Sequence, residues 1–402
     1  MFASIARFAG RATAISSRSK SLLASPGISL LELRCHIRLV NNVQAPLNVS
    51  KQLSATPHAK MQLSQKNIPF KMADITSSAE LDDTALNGPI DYITALPSKN
   101  IRTKLATALN IWFNLPTQQL NLLKEIVTDL HNSTLILDDI QDDSELRRGS
   151  PTTHRVFGSA QCINSATYMV VHATRRMNST RSGHRELMGV FLDGLAELAK
   201  GQSWDLQWKF EARCPSIKEY MAMIDGKTGA MFVMLLRMMV VLAETEKQTQ
   251  TQSETPSIQR LSWPLPDLER LMQLLGRLFQ VRDDYQNLHD ETYAKQKGFC
   301  EDLDEGKLSF PVIACCEADP SARASMLKLL RIKKQGQRVS EAQKMQMLRL
   351  ILDSGALHRT WEVIQCLIEE IRAALAVVEE RVGVRNSALR LILLLLSDVQ
   401  AP

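Results

Sequence analysis

His131-Asn-Ser-Thr-Leu-Ile-Leu-Asp138-Asp139-Ile-Gln-Asp142-Asp143 places one imidazole and four carboxylates at the end of an apolar helical run. Leu120, Leu123, Val127 and Leu130 precede it at steps of three or four, Pro116 suits a first helical turn, and Gly149 and Pro151 close the segment. At about 100° per residue, Asp138 and Asp142 each fall within about 20° of His131, so the three share one stripe of the helix. Carboxylates four apart repel by about 0.2–0.5 kcal/mol, so helix stability gives no reason for the pattern. A divalent cation does. Hard Mg²⁺ prefers oxygen ligands and is commonly held by one or two carboxylates with substrate phosphates completing its shell.

A second cluster, Gln280-Val-Arg-Asp283-Asp284-Tyr-Gln-Asn287, follows apolar Leu271, Leu274, Leu275 and Leu278. Positions 280, 283, 284 and 287 again form one polar stripe on a helix that is otherwise buried. Two buried helices, 145 residues apart, each spend a stripe on carboxylates. The expectation is one facing metal site. Neither cluster has the alternating acids of an EF-hand, and Gly306-Lys307 lacks the glycine a P-loop needs. Lys227-Thr228-Gly229 lies in Met-rich helical context, against a β-lactamase reading. Cations accompany the acids: Arg147 and Arg148 after the first set, Lys297 and Lys307 after the second, and Lys99, Arg102 and Lys227 elsewhere. Acids, Mg²⁺ and many cations suit a substrate with several phosphates.

The rest of the chain bounds the fold. In 402 residues, 45% hydrophobic and 5% aromatic with only 17 Gly and 15 Pro, a mostly helical chain is favoured over collagen-like or many-stranded readings. From about residue 88 the periodicity is helical, including Ala356–Val382, with Trp361, Ile364, Leu367, Ile368, Ile371, Leu375 and Val378 on one face and Glu362, Glu369, Arg372 and Glu379 on the other. Ser340 reads as an N-cap, and polar Glu244–Pro266 reads as an exposed loop. One large all-α domain over 88–402 is expected. Residues 1–73 hold ten Lys or Arg against one acid, so the basic charge belongs to an N-terminal extension (1–87). Its acid-free, Arg- and Ser-rich start suits an organellar transit peptide; otherwise a cytoplasmic location is expected. The folded part offers no basic face for nucleic acid. Seven scattered cysteines without C-x-x-C argue against a disulfide framework or zinc site and fit a reducing compartment. No uninterrupted apolar run reaches the about 18 residues of a membrane span.

From about 88 to 385 the chain resembles the trans-isoprenyl diphosphate synthases, most of all the fungal geranylgeranyl diphosphate synthases. The matching segments are PSKNIRTKL, LHNSTLILDDIQDDSELRRGSPTTH, INSATY, GQSWDLQW, KTG, FQVRDDYQNL and KGFCEDLDEGKLSFPVI. The resemblance implies an all-α helical bundle of the isoprenoid synthase type with a central cavity, a homo-oligomer, and condensation of isopentenyl diphosphate with dimethylallyl, geranyl or farnesyl diphosphate. It implies that Asp138, Asp142 and Asp283 hold Mg²⁺. Arg147, Lys227, Thr228, Gln280, Asn287, Lys297 and Lys307 then grip the allylic diphosphate, and Lys99, Arg102, His131 and Arg148 the isopentenyl diphosphate. Asp205 matches a cavity acid.

In this family large aromatics a turn before the first cluster stop growth at fifteen carbons; Ser133 and Thr134 stand there, implying twenty. Two features depart from the pattern: Asn287 stands where many relatives have Asp, and residues 170–191 are unusually polar. A class I terpene cyclase would want an N-D-x-x-S-x-x-x-E second motif, which DDYQN does not supply, and a non-catalytic subunit would usually lack a motif aspartate.

Overall fold

The computed structural model describes residues 78–179, 184–251, 263–289, 299–334 and 339–402. The transit-peptide reading and Lys297 lie outside the described residues, as do parts of the polar segments 170–191 and 244–266. Glu80–Pro402 form one compact unit, and its described residues are all-α apart from a hairpin of two two-residue strands.

Helices α1 (Thr84–Ala95) and α2 (Ile101–Phe113) precede α3 (Thr117–Asp142), which starts directly after Pro116 and buries Leu120, Leu123, Val127 and Leu130 as their spacing requires. Helix α3 ends at Asp143, in the left-handed conformation. Strands β1 (Leu146–Arg147) and β2 (Ser150–Pro151) then pair antiparallel, Arg147 opposite Ser150. The turn residues Arg148 and Gly149 both have positive φ (55° and 81°), which a two-residue hairpin turn of the right twist demands. This turn sends Arg147 back over the end of α3 and Arg148 away from it.

Next come α4 (Thr153–Phe157), α5 (Ser159–Asn178), α6 (His184–Glu211) and α7 (Ile217–Ile224), the last opened by a Ser216/Glu219 capping box. A π-helical turn over Asp225–Gly229 joins α7 to α8 (Ala230–Thr251). Then follow α9 (Leu265–His289), α10 (Glu301–Asp304), α11 (Phe310–Ala318), α12 (Pro320–Lys334), α13 (Glu341–Asp353), α14 (Ala356–Val382) and α15 (Ser387–Ser397).

The main core gathers residues of α2, α3, α8, α9, α11 and α14; the α14 stripe from Ile364 to Val378 is buried in it. Ser340 caps α13 with Gln343 as expected. On the outer face of α14, Glu362, Glu369 and Arg372 meet solvent. Glu379 does not: it is 10% exposed and binds Arg390 and the Asn386 N–H.

Two expectations need correcting. The polar stretch from Glu244 is not loop at its start, because α8 runs on to Thr251. Glu, Lys and Gln are good helix formers, and the first proline comes only at 256. Second, Ile217–Glu246 is long and apolar enough to cross a membrane although Arg237 interrupts it, one 18-residue window having a mean hydropathy of 1.6. That window is 72% buried inside the fold, as a core helix is. The polarity of α5 is absorbed locally: Arg176 pairs with Glu125 and Asp129 of α3, and His172 lies 3.6 Å from Asp129.

Candidate active site

The site is assembled where α6, the π turn and α9 cross at close range. A Cβ on Gly201 would lie 2.1 Å from the Lys227 backbone nitrogen, and one on Gly276 would lie 2.7 Å from Gly229 Cα. Only glycine permits that approach. A π turn inserts an extra residue into a helix and re-aims the side chains beside it, which is why such turns recur at functional sites. Here it points Lys227 at the first acidic cluster and Thr228 at the second.

Lys227 donates to Asp205 (2.6 Å) and to Asp138 (3.2 Å), and Thr228 donates to Gln280 (2.8 Å). Two adjacent residues therefore tie the two aspartate-bearing helices together. Gln202 donates to Asp138 (2.8 Å) and to Gln141 (2.7 Å), and Lys209 forms a short ion pair with Asp142. Gln202, Asp205 and Lys209 are spaced i, i+3, i+7, so one stripe of α6 faces Asp138 and Asp142.

The electrostatics divide these carboxylates. Burial works against ionised Asp138, but Lys227, Lys209 and Arg147 outweigh it and hold its carboxyl well below the usual range. Asp142 goes the other way. Burial, with Asp138 and Glu305 adding negative charge, pushes it up to about 7 despite Lys209. Asp205 is held low against its burial by Lys227 and Lys209.

Each acidic pair keeps one member inside. Asp139 is fully buried and accepts a forked bond from Arg147. Asp284, also fully buried, accepts from the Tyr220 hydroxyl (2.5 Å), Gln280 (3.0 Å), Lys307 (2.9 Å) and the Phe310 N–H (2.8 Å). Asp283 stays half-buried, and its charge is felt by both Arg102 and Lys307. The Asn287 side-chain oxygen accepts from the Asp302 N–H (3.1 Å), while its buried amide nitrogen has no partner. Lys307 also reaches Asp302 (3.1 Å).

A second cationic group lies beside this one. Arg102 meets His131 at 3.1 Å, and its guanidinium stands 5.7 and 5.8 Å from the ring centres of Phe232 and Phe279. Burial, with Arg148 nearby, pushes Arg102 down to about 10. Burial and then Arg102 hold His131 well below its ordinary value, so the ring is neutral. Arg148 reaches the Leu96 carbonyl and the Ser98 hydroxyl, both at 3.3 Å, beside exposed Lys99.

Among the described residues no three His, Cys, Asp or Glu side chains converge as a ready metal cage. Mg²⁺ does not require one, since it keeps several positions for water and substrate phosphates. Asp138 and Asp142, one helical turn apart and held by lysines, and Asp283 on α9 are donors of the right chemistry. Ser133 and Thr134 differ in placement: Ser133 is buried against α5, donating to the Ala166 carbonyl at 2.9 Å, whereas Thr134 is exposed one turn before Asp138. A groove of about 530 Å³, lined by Trp204, Trp208 and Asp225 among others, lies on a different face of α6 and is not the carboxylate site.

Sequence reading missed Lys209, Gln202, Tyr220, Asp302 and Glu305. The spacing of Gln202, Asp205 and Lys209 was the available signal for two of them.

Residues 83–348 match the polyprenyl synthetase family, and the chain belongs to that family. It is 42% identical over 323 residues to a Fusoxypene synthase of Fusarium oxysporum, covering 79% of this chain and 43% of that one. It is 38% identical over 318 residues to the bifunctional sesterterpene synthase astC of Talaromyces wortmannii (79% and 40%) and 39% identical over 323 residues to an Ophiobolin F synthase of Aspergillus calidoustus (79% and 42%). The chain thus spans about two-fifths of the length of these relatives. They bear terpene synthase names, where the sequence motifs alone pointed to geranylgeranyl diphosphate synthases.

Proposed function

We infer that this chain is a Mg²⁺-dependent prenyltransferase that joins isopentenyl diphosphate to allylic diphosphates and releases geranylgeranyl diphosphate. The observation that carries this reading is the junction at Lys227 and Thr228, which draws Asp138 and Gln280, one from each aspartate helix, around a single cationic turn.

Bound to Asp138, Asp142 and Asp283, the metal would supply Lewis-acid neutralisation of the departing diphosphate. In this reading Lys227, Thr228, Gln280 and Lys307 hold that diphosphate, with Asn287, Lys297 and Arg147 assigned to the same group, Arg147 from its bond to Asp139 near the end of α3. Arg102, Arg148, His131 and Lys99 hold the isopentenyl diphosphate alongside, so that its double bond meets the allylic carbon in place; such positioning is worth several kcal/mol of barrier. Phe232 and Phe279 beside Arg102 keep water from a carbocation that it would quench. The synthase domain takes in all of α1, which starts at Thr84, a few residues before the expected boundary at 88, and a homo-oligomer is supported by the apolar residues exposed on α5 and α6, such as Val171, Leu192 and Trp204.

Small Thr134 one turn before Asp138 supports growth past fifteen carbons. A second reading, one further addition to twenty-five carbons, is favoured by the sesterterpene synthase name of a relative. The test is incubation with isopentenyl diphosphate and, separately, dimethylallyl, geranyl and farnesyl diphosphates, followed by chromatography of the dephosphorylated products. Geranylgeraniol is expected, geranylfarnesol would favour the second reading, and farnesol alone would refute both. Geranylgeranyl diphosphate supplied by itself should yield no hydrocarbon; a cyclic product would favour a cyclase.

A further inference from the structure

The Lys209–Asp142 pair differs from its neighbours in what the cation keeps once metal takes the carboxylate: Lys227 also reaches Asp205, so it retains a partner when Asp138 is engaged. Arg147 on Asp139 is a rigid forked guanidinium on a carboxylate with no exposure at all, a fixed structural bond. Lys209 is a point charge on a flexible stem, its side chain 13% exposed, and its partner is a carboxylate expected to bind metal. Carboxylates crowd this face: Asp142 feels Asp138 and Glu305 as well as Lys209, and Asp205 feels Lys227, Lys209 and Lys307. A divalent cation is stabilised where carboxylates gather in this way. Lys209 also stands in the last turn of α6, where the helix carbonyls favour a cation even when Asp142 is engaged elsewhere.

We propose that Lys209 is a displaceable occupant of the metal face: its ammonium holds Asp142 in the metal-free protein and transfers to the diphosphate when metal takes the carboxylate. Lys209 is then a positioning residue that couples the order of binding. Metal alone must compete with it, and diphosphate relieves the competition by giving the ammonium another partner. By linkage, each ligand assists the other by the same factor. The inference rests on the prenyltransferase reading above and deepens it.

The test is calorimetric titration of Mg²⁺ into the full chain, with and without inorganic pyrophosphate, for the wild type, Lys209→Met, Lys209→Gln and Lys209→Arg, with thermal melting to confirm folding. Pyrophosphate ligates Mg²⁺ itself, so the deciding quantity is affinity for Mg²⁺ alone. Lys209→Met and Lys209→Gln should tighten it by about tenfold, Lys209→Arg should stay within about threefold of wild type, and pyrophosphate should help the neutral variants less than the wild type. Folded neutral variants with unchanged or weaker Mg²⁺ binding would overturn the proposal. Failure of both to fold would overturn it too, since Lys209 would then be a fixed structural counter-ion. Turnover of prenyl diphosphates by the wild type is scored separately, so a failed functional reading is distinguishable from a failed role for Lys209.

Discussion

The two aspartate helices carry similar motifs and use them differently. On α3 the acids at 138 and 142 face the single ammonium groups of Lys227 and Lys209, while Asp139 is gripped by the forked guanidinium of Arg147. On α9 Asp284 is consumed by four donors and Asn287 has its oxygen on the Asp302 N–H, which leaves Asp283 as the carboxylate proposed for metal. In both, adjacent aspartates divide their labour because neighbours on a helix point about 100° apart. The inner one is held by buried donors, and under the proposed function the outer one faces the ligand. On that reading the first helix binds and the second mainly anchors α11 and Lys307.

Substitutions can break that contrast. The largest effect is expected for Asp138→Asn or Asp142→Asn, each lowering kcat by about 10³-fold with the melting temperature retained; Asp283→Asn should cost about tenfold less. Steady-state kinetics beside thermal melting checks this, and equal losses on both helices would erase the asymmetry. Asp284→Ala should instead act on stability, by about 3–5 kcal/mol in chemical denaturation, because it strands buried Lys307 and Tyr220, whereas Asp283→Ala should stay within about 1 kcal/mol. Gly201→Ala should cost about 1–3 kcal/mol and lower kcat, since its Cβ has no room against the Lys227 backbone.

Acidity sharpens the comparison further. With Asp142 raised to about 7, the folded metal-free protein keeps a proton that the unfolded chain loses near about 4. This group therefore makes the fold less stable as pH rises between those values. Metal needs the carboxylate, so Mg²⁺ affinity should fall below pH 7, approaching about tenfold per unit, as calorimetry at pH 6, 7 and 8 would register. The smallest effect is expected for Asn287→Asp, which keeps the acceptor for Asp302 and adds a charge beside Asp283; Mg²⁺ should tighten by no more than about threefold.

Much of this was legible beforehand because helices write their faces into the sequence at fixed intervals. The α14 stripe, the cap at Ser340 and the stripe shared by His131, Asp138 and Asp142 needed only periodicity. Lys209 escaped notice because a lysine near a helix end has an ordinary surface explanation, and its partner is 67 residues away. The inward roles of Asp139 and Asp284 escaped for the same reason: a motif shows which acids are present, not which of two neighbours meets a buried arginine or tyrosine.

Residue order along the chain was enough to establish an all-helical domain with two acidic stripes, since both follow from the about 3.6-residue repeat and from side-chain chemistry. Which carboxylates stay available, which lysine rests on Asp142 and where Lys227 points depended on packing: glycines that let backbones touch and a π turn that re-aims one helix. Those are contacts between residues far apart in the chain, and no local pattern encodes their distance.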